Sequence, residues 1–259
     1  MTPRPGATIV VPCFDEAERL RPDAVRELAA SSGARVLLVD DGSTDATPQV
    51  LDALVAAVGD PGTIASHRLA RNSGKAEAVR RGMRLALDDG AAVVGYCDAD
   101  FSTPPHEVAR LLVVLDDTPD VDVVLGSRVG LLGSDVQRAH VRHYLGRLFA
   151  TAASAALRMK VYDTQCGAKV FADTPALRAA LADPFRSVWA FDVELLARLR
   201  HGAPPTAPGL GIERFLEIPL RTWRDVGASK LTVRGAGRAA VDVARIAIDG
   251  RRRRAAGRR

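Results

Sequence analysis

The chain has 259 residues, 47% hydrophobic and 26% charged, which suits an ordinary globular protein large enough to bury a full core as one domain. Its formal charge of +5 is local: residues 238–259 carry eight arginines and two aspartates, +6, leaving −1 for residues 1–237. A nearly neutral body argues against a nucleic-acid-binding face spread over the domain.

Short apolar runs predict strands at 8–11, 35–39, 62–68, 91–97 and 121–125. Between them, helical periodicity predicts helices at 22–30, 44–58, 75–88 and 105–117, with Ser43 or Asp45 and Thr103 as candidate caps. Strands alternating with helices imply an α/β fold with a mostly parallel sheet covered on both faces. The second half predicts a long helix at 141–159, a strand at 168–171, helices at 175–181 and 191–199, a strand at 212–222 and a last helix at 236–248. The arginine-rich composition beyond about Gly250 predicts disorder. Cys13, Cys97 and Cys166 lie far apart, without metal-ligand or disulfide spacing. No apolar run approaches the roughly 18 residues of a membrane span, and the first residues have no signal-peptide core, so the expectation is a cytoplasmic protein.

Parallel α/β sheets bind ligands at the carboxyl ends of their strands. Three such ends carry acids: Pro12-Cys13-Phe14-Asp15-Glu16, then Asp40-Asp41-Gly42-Ser43-Thr44-Asp45, then Asp98-Ala99-Asp100. Carboxylates converging on one crevice repel one another unless a cation or donor groups intervene. The D-x-D spacing of Asp98 and Asp100 suits one hard divalent ion, Mg²⁺ or Mn²⁺, with diphosphate oxygens completing its shell. Taken singly each signal is weak, since D-D-G also reads as a turn and Arg71-Asn72-Ser73-Gly74-Lys75 as a solvated loop. The latter is no P-loop, and no G-x-G-x-x-G follows a strand, which disfavours a dinucleotide-binding dehydrogenase.

In order, P-C-F-D-E, V-D-D-G-S-T-D, N-S-G-K, D-A-D-F-S-T-P and G-S-R resemble the inverting family 2 glycosyltransferases with the GT-A fold. D-T-Q-C-G at 163–167, W-A-F-D-V-E-L-L at 189–196 and W-R-D-V-G-A-S-K at 223–230 are similar to the dolichyl-phosphate β-glucosyltransferase branch. Asp15, Cys13 and Ala168 depart from the residues usual there. The resemblance implies one GT-A domain over 1–235, an open mixed, mostly parallel sheet flanked by helices. Its donor-binding half is 1–127 and its acceptor half 128–235, followed by a helix and basic tail at 236–259. It implies a nucleotide-sugar donor, UDP-glucose, and a polyprenyl-phosphate acceptor. Pro12, Phe14, Glu16, Asp41 and Lys75 would contact the donor, and Asp98 and Asp100 would hold the metal on its diphosphate.

A phosphate acceptor is already anionic and needs orientation and charge compensation more than a base. Arg128, Arg142 and Lys169 are the candidate phosphate holders. Asp163 and Asp192 are the candidates for acceptor alignment or general base; the competing readings make Asp163 a turn cap and Asp192 a helix cap. Alternatives are GDP-mannose as donor, a soluble acceptor, or a non-catalytic nucleotide-sugar or nucleic-acid-binding protein. Since the lipid acceptor lies in a bilayer, the basic tail with Arg251–Arg254 is expected to hold the chain peripherally at the inner face of the membrane. The 141–159 helix, despite Arg142, Arg147, Arg158 and Lys160, is expected to pack against the core.

Overall fold

Runs such as Thr8-Ile9-Val10-Val11 and Val36-Leu37-Leu38-Val39 are apolar on both sides of the pleat, which suits strands covered on both faces. The computed structural model describes residues 6–137, 140–203, 206–226 and 241–249, with 137 and 140–148 described as backbone alone. The chain begins β1 (Ala7–Cys13), α1 (Pro22–Ser32), β2 (Arg35–Asp40), α2 (Thr47–Val58), β3 (Ile64–Arg68), α3 (Lys75–Asp88), β4 (Val93–Cys97), α4 (Pro105–Asp117) and β5 (Val123–Ser127). It continues β6 (Asp135–Gln137), α5 (His140–Leu157), β7 (Ala168–Ala172), α6 (Pro175–Ala182), α7 (Phe191–His201), β8 (Phe215–Pro219) and β9 (Thr222–Arg224). A further helix, α8, covers 241–249.

Seven strands form one sheet in the order β3-β2-β1-β4-β7-β5-β8, and β6 and β9 form a separate parallel pair. The large sheet is parallel except for β7, which runs antiparallel to both of its neighbours, β4 and β5. This is the expected open, mixed, mostly parallel sheet flanked by helices, and strands from both sides of residue 127 share it. Side-chain alternation divides the core in two. Ile9, Val11, Leu38 and Val124 pack with α1, α2 and α4. Val10, Leu37, Tyr96, Leu125 and Phe171 pack with α3, α6, α7 and the end of α5. Each fully buried aliphatic or aromatic side chain contributes about 1.5–3 kcal/mol.

Several expected boundaries are corrected. The helix expected from 44 starts at Thr47, because residues 43–47 instead bond the 15–17 segment through side chains. Neither Ser43 nor Thr103 caps a helix; the capping positions fall at Ala46 and Pro104, without side-chain bonds. The strand expected at 121–125 lies at Val123–Ser127, so Arg128 follows it directly. The single strand expected at 212–222 is divided, since the Leu220 amide bonds Ser127 O at 2.8 Å, after which Arg221 O accepts from the Asp135 amide at 2.8 Å and the chain passes to β6. Ala153 and Leu157 of α5 are buried in the core, as expected for that helix. The tail expectations for 236–240 and 250–259, Arg251–Arg254 included, lie outside the described residues.

Candidate active site

The carboxyl ends of β1, β2 and β4 lie side by side, with Cys13 in register with Asp40. Beyond them the first two acidic motifs interlock. The Asp15 amide donates to Ser43 Oγ (3.0 Å), the Glu16 amide to Thr47 Oγ1 (2.8 Å) and the Thr44 amide to Asp15 Oδ1 (2.9 Å). Asp15 has φ 50°, a left-handed conformation that Asp and Asn tolerate better than most side chains. This edge leaves the Phe14 ring exposed and Pro12 half-buried, while Glu16 ion-pairs Arg19 at 2.8 Å.

Asp41 is buried and accepts the amides of Ser73 (2.8 Å) and Gly74 (2.7 Å). Burial pushes its carboxyl above the ordinary range, and the two amides work against that rise. Gly42, at φ 68°, allows the 71–72 backbone to cross at this point: a Cβ there would lie 2.5 Å from Arg71 C. Asp41 and Gly42 thus fix the loop that delivers Lys75, the first residue of α3. Lys75 Nζ reaches Asp98 Oδ1 at 2.5 Å and lies 5.9 Å from the centre of the Phe191 ring. Burial opposes the lysine's charge, but Asp98, Asp192 and Asp100 outweigh it and hold the ammonium above its usual range.

Asp98 Oδ1 is buried, and the cation that faces it is the Lys75 ammonium at 2.5 Å. Asp100 is half-buried and accepts the Ser102 amide on Oδ1 (2.9 Å). Among the described residues no three His, Cys, Asp or Glu side chains converge as a metal site. A divalent ion would therefore rest on these two carboxylates, with phosphate and water oxygens completing its shell, and the donor set fits a hard cation. Phe101 follows at φ 50°, strained for an aromatic residue, and its amide bonds Asp98 O at 3.1 Å.

Antiparallel β7 brings the second-half motifs to the same edge. The Asp98 amide donates to Gly167 O at 3.1 Å, and a Cβ on Gly167 would fall 2.1 Å from Asp98 Oδ2. Tyr96 and Lys169 are register partners on one face and both turn to Asp192 of α7. Lys169 Nζ bonds Asp192 Oδ1 at 2.7 Å and Cys166 O at 2.5 Å, while the Tyr96 hydroxyl donates to the same Asp192 oxygen. Burial and the neighbouring Asp192 raise the Tyr96 pKa well above its ordinary value, so it stays a donor. Lys169 was expected to hold acceptor phosphate; it is instead fully buried and committed to Asp192, because strand alternation turns it into the core. Asp192 lies in the first turn of α7 and is not its cap.

Asp163 is the partner of Arg128. Its carboxylate receives Arg128 Nε (2.6 Å), Arg128 Nη2 (2.8 Å) and the Arg128 amide (3.0 Å). Burial works against the guanidinium charge, but Asp163 outweighs it and raises the pKa further. Arg128 also lies 5.5 Å from the Trp223 ring centre, and Glu217 accepts the amides of Tyr162 (2.8 Å) and Asp163 (2.7 Å). Of Arg142 only the backbone, in α5, is described. Lys75, Asp98, Asp100 and Asp192 are thus brought together, and Arg128 with Asp163 adjoins them through Cys166. Sequence reasoning missed Tyr96, Gly167, Glu217 and Trp223. The available signals were Glu217, the lone charge in the run Phe215–Pro219, and the places of Gly167 and Trp223 in D-T-Q-C-G and W-R-D-V-G-A-S-K.

Acids and one lysine at the carboxyl edge of an open, mostly parallel α/β sheet mark a ligand-binding crevice. Residues 8–185 match the family described as glycosyl transferase family 2, and the chain belongs to that family. It is 29% identical to a dolichyl-phosphate β-glucosyltransferase of Trichomonas vaginalis, over 93% of this chain and 70% of that protein. It is 27% identical to a polyprenol monophosphomannose synthase of Mycolicibacterium smegmatis, over 98% of this chain and 92% of that protein. The crystal structure of mannosyl-3-phosphoglycerate synthase from Rubrobacter xylanophilus shares the fold, with TM-score 0.65 at 19% identity, covering 98% of this chain and 75% of that one.

Proposed function

We propose that the protein transfers glucose from UDP-glucose, with inversion, to a polyprenyl phosphate. The observation that carries this reading is the contact of Asp98 with both Lys75 and Gly167, which joins the donor motifs to D-T-Q-C-G at one point. Relatives named for glucosyl and mannosyl transfer to dolichyl or polyprenol carriers support the acceptor class. Pro12, Phe14, Glu16 and Asp41 line the nucleoside end. Asp98 and Asp100 would hold Mg²⁺ or Mn²⁺ on the diphosphate. When bound, that ion offsets the charge developing on the leaving nucleoside diphosphate. Lys75 adds a second positive charge beside the same carboxylate. Arg128 orients the acceptor phosphate, with Arg142 a further candidate. Asp163 and Asp192, each committed to a basic partner, position Arg128 and Lys169 rather than accept a proton, as suits an acceptor that is already anionic. The polybasic tail attaches the chain to the inner face of the membrane at about 1 kcal/mol per basic residue near anionic lipid.

A panel of UDP- and GDP-sugars, with Mg²⁺ or Mn²⁺ and a polyprenyl phosphate in detergent, tests the reading by mass spectrometry. One glycosyl phospholipid is expected from UDP-glucose, abolished by chelator and reduced at least about 100-fold in Asp100→Ala. Undiminished activity in that variant overturns the metal assignment. Product from GDP-mannose alone selects the second reading, favoured by the mannosyl relative's 92% coverage.

A further inference from the structure

Between Arg128 and β6 the chain makes a short projecting turn. Leu131 is 53% exposed and Leu132 fully exposed, at 108%. The space around them is open: a Cβ added at Gly130 or Gly133 would meet nothing within 4 Å. Yet the turn is well formed. Ser134 Oγ accepts from the Leu131 amide (2.8 Å) and donates to Leu131 O (2.7 Å), and the Ser134 amide donates to the same carbonyl (3.0 Å). Two adjacent leucines held outward by a braced turn are unfavourable in water unless something apolar covers them.

We propose that this turn enters the acyl boundary of a lipid bilayer and sets the depth at which the site meets its acceptor. The inference rests on the polyprenyl-phosphate reading. If Arg128 holds the acceptor phosphate, that phosphate lies among the lipid headgroups while the prenyl chain runs into the hydrocarbon. Leu131 and Leu132 follow Arg128 by three and four residues, a reach of at most about 10–14 Å. That span covers the roughly 5–10 Å over which interfacial segments bury apolar side chains. The surrounding charge suits an anionic surface. Arg221 is exposed, and its carbonyl accepts the Asp135 amide at 2.8 Å, which places it at the base of the turn. Asp135 at that base ion-pairs the exposed Arg224 at 3.5 Å. An apolar tip with the exposed Arg221 at its base fits an anionic membrane better than a second copy of this chain, which would bring two such arginines together.

The full chain is tested on vesicles of phosphatidylcholine and phosphatidylglycerol that contain no polyprenyl phosphate. All three native cysteines are buried, so Leu132→Cys directs an environment-sensitive dye to the tip. A blue shift on adding vesicles is expected, together with an about 10- to 100-fold loss of vesicle partitioning in the Leu131→Ser, Leu132→Ser double variant at high salt. An unshifted dye on protein that sediments with vesicles overturns the proposal, because another surface then makes the contact. Failure of the unmodified protein to bind vesicles overturns it too, as does a dimer that the double variant abolishes. Transfer to a short, water-soluble prenyl phosphate without membranes is read in parallel. The double variant keeps that activity within about threefold, whereas its absence in the unmodified protein removes the acceptor reading itself.

Discussion

Gly167→Ala adds one methyl group at the point where the two halves of the site meet. The backbone there is outside the left-handed region, so the substitution carries no conformational penalty of its own. The new Cβ would lie 2.1 Å from Asp98 Oδ2, 2.4 Å from Cγ and 2.9 Å from Oδ1, where ordinary contacts begin near 3.4 Å. The carboxylate must retreat by more than about 1 Å. It cannot do so freely, because the Asp98 amide is bonded to Gly167 O and the side chain is ion-paired to Lys75. Overpacking of this kind costs about 1–3 kcal/mol, which a chain of this size survives in folded form. A displacement of about 1 Å at a reacting centre costs on the order of 100-fold in rate. Steady-state transfer should therefore fall about 100-fold in kcat while circular dichroism and the cooperative melt persist. Gly130→Ala, with no neighbour within 4 Å, is the control and should be silent. If Gly167→Ala turns over within about threefold of the unmodified enzyme, the assignment of Asp98 to the reacting centre is wrong.

Lys169→Met should cost about 3–5 kcal/mol by leaving Asp192 buried without its cation, read as a lowered denaturation midpoint; adding Asp192→Asn should recover part of the loss. Ser187→Ala removes the hydroxyl that donates to Asp242 of α8 (2.7 Å) and accepts the Ala190 amide at the start of α7 (2.7 Å). It should cost about 1 kcal/mol, and hydrogen exchange should show both helices loosened; unchanged protection would show that the bond is idle. Burial pushes the Cys166 thiol from 9.0 up to about 11, and Cys13 and Cys97 are raised further. The folded state then binds these protons more tightly than the unfolded one, so stability is complete below the unfolded value of 9.0 and falls as pH rises through about 11. A melting temperature that stays flat as pH rises from 9.0 to about 11 would contradict that burial.

β1, β2 and β4 were legible because each is an apolar run closed by a polar edge, and parallel pairing then gathers those edges. The acids at 15, 41, 98 and 100 followed from that rule alone. β5 was misplaced by two residues because Gly126 and Ser127 resemble a turn, although pairing with Ile218 and Pro219 makes them strand. Lys169 was misjudged because a basic residue within A-K-V-F reads as surface, whereas its register with Tyr96 turns it inward to Asp192. Arg128 and Asp163 were each found, but as separate candidates. Their bidentate pairing depends on how 128–163 closes on itself, which periodicity does not encode. Tyr96 was hidden for the same reason, and Gly167 was seen only as part of D-T-Q-C-G, since each matters through a residue distant in the chain.

The reversed strand has a further consequence. β7 lies between β4 and β5, so the excursion that leaves the sheet after Ser127 returns to it at Ala168, beside Cys97. Its returning end is anchored beside Asp98 through Gly167, while the described residues of its middle carry no strand of the large sheet. Exchanges in its middle, away from Arg128, Asp163 and Gly167, are expected to leave the Asp98 geometry where it was. On the proposed acceptor reading, an architecture with this closure could be refitted to a new carrier without rebuilding the edge that holds Asp98 and Asp100.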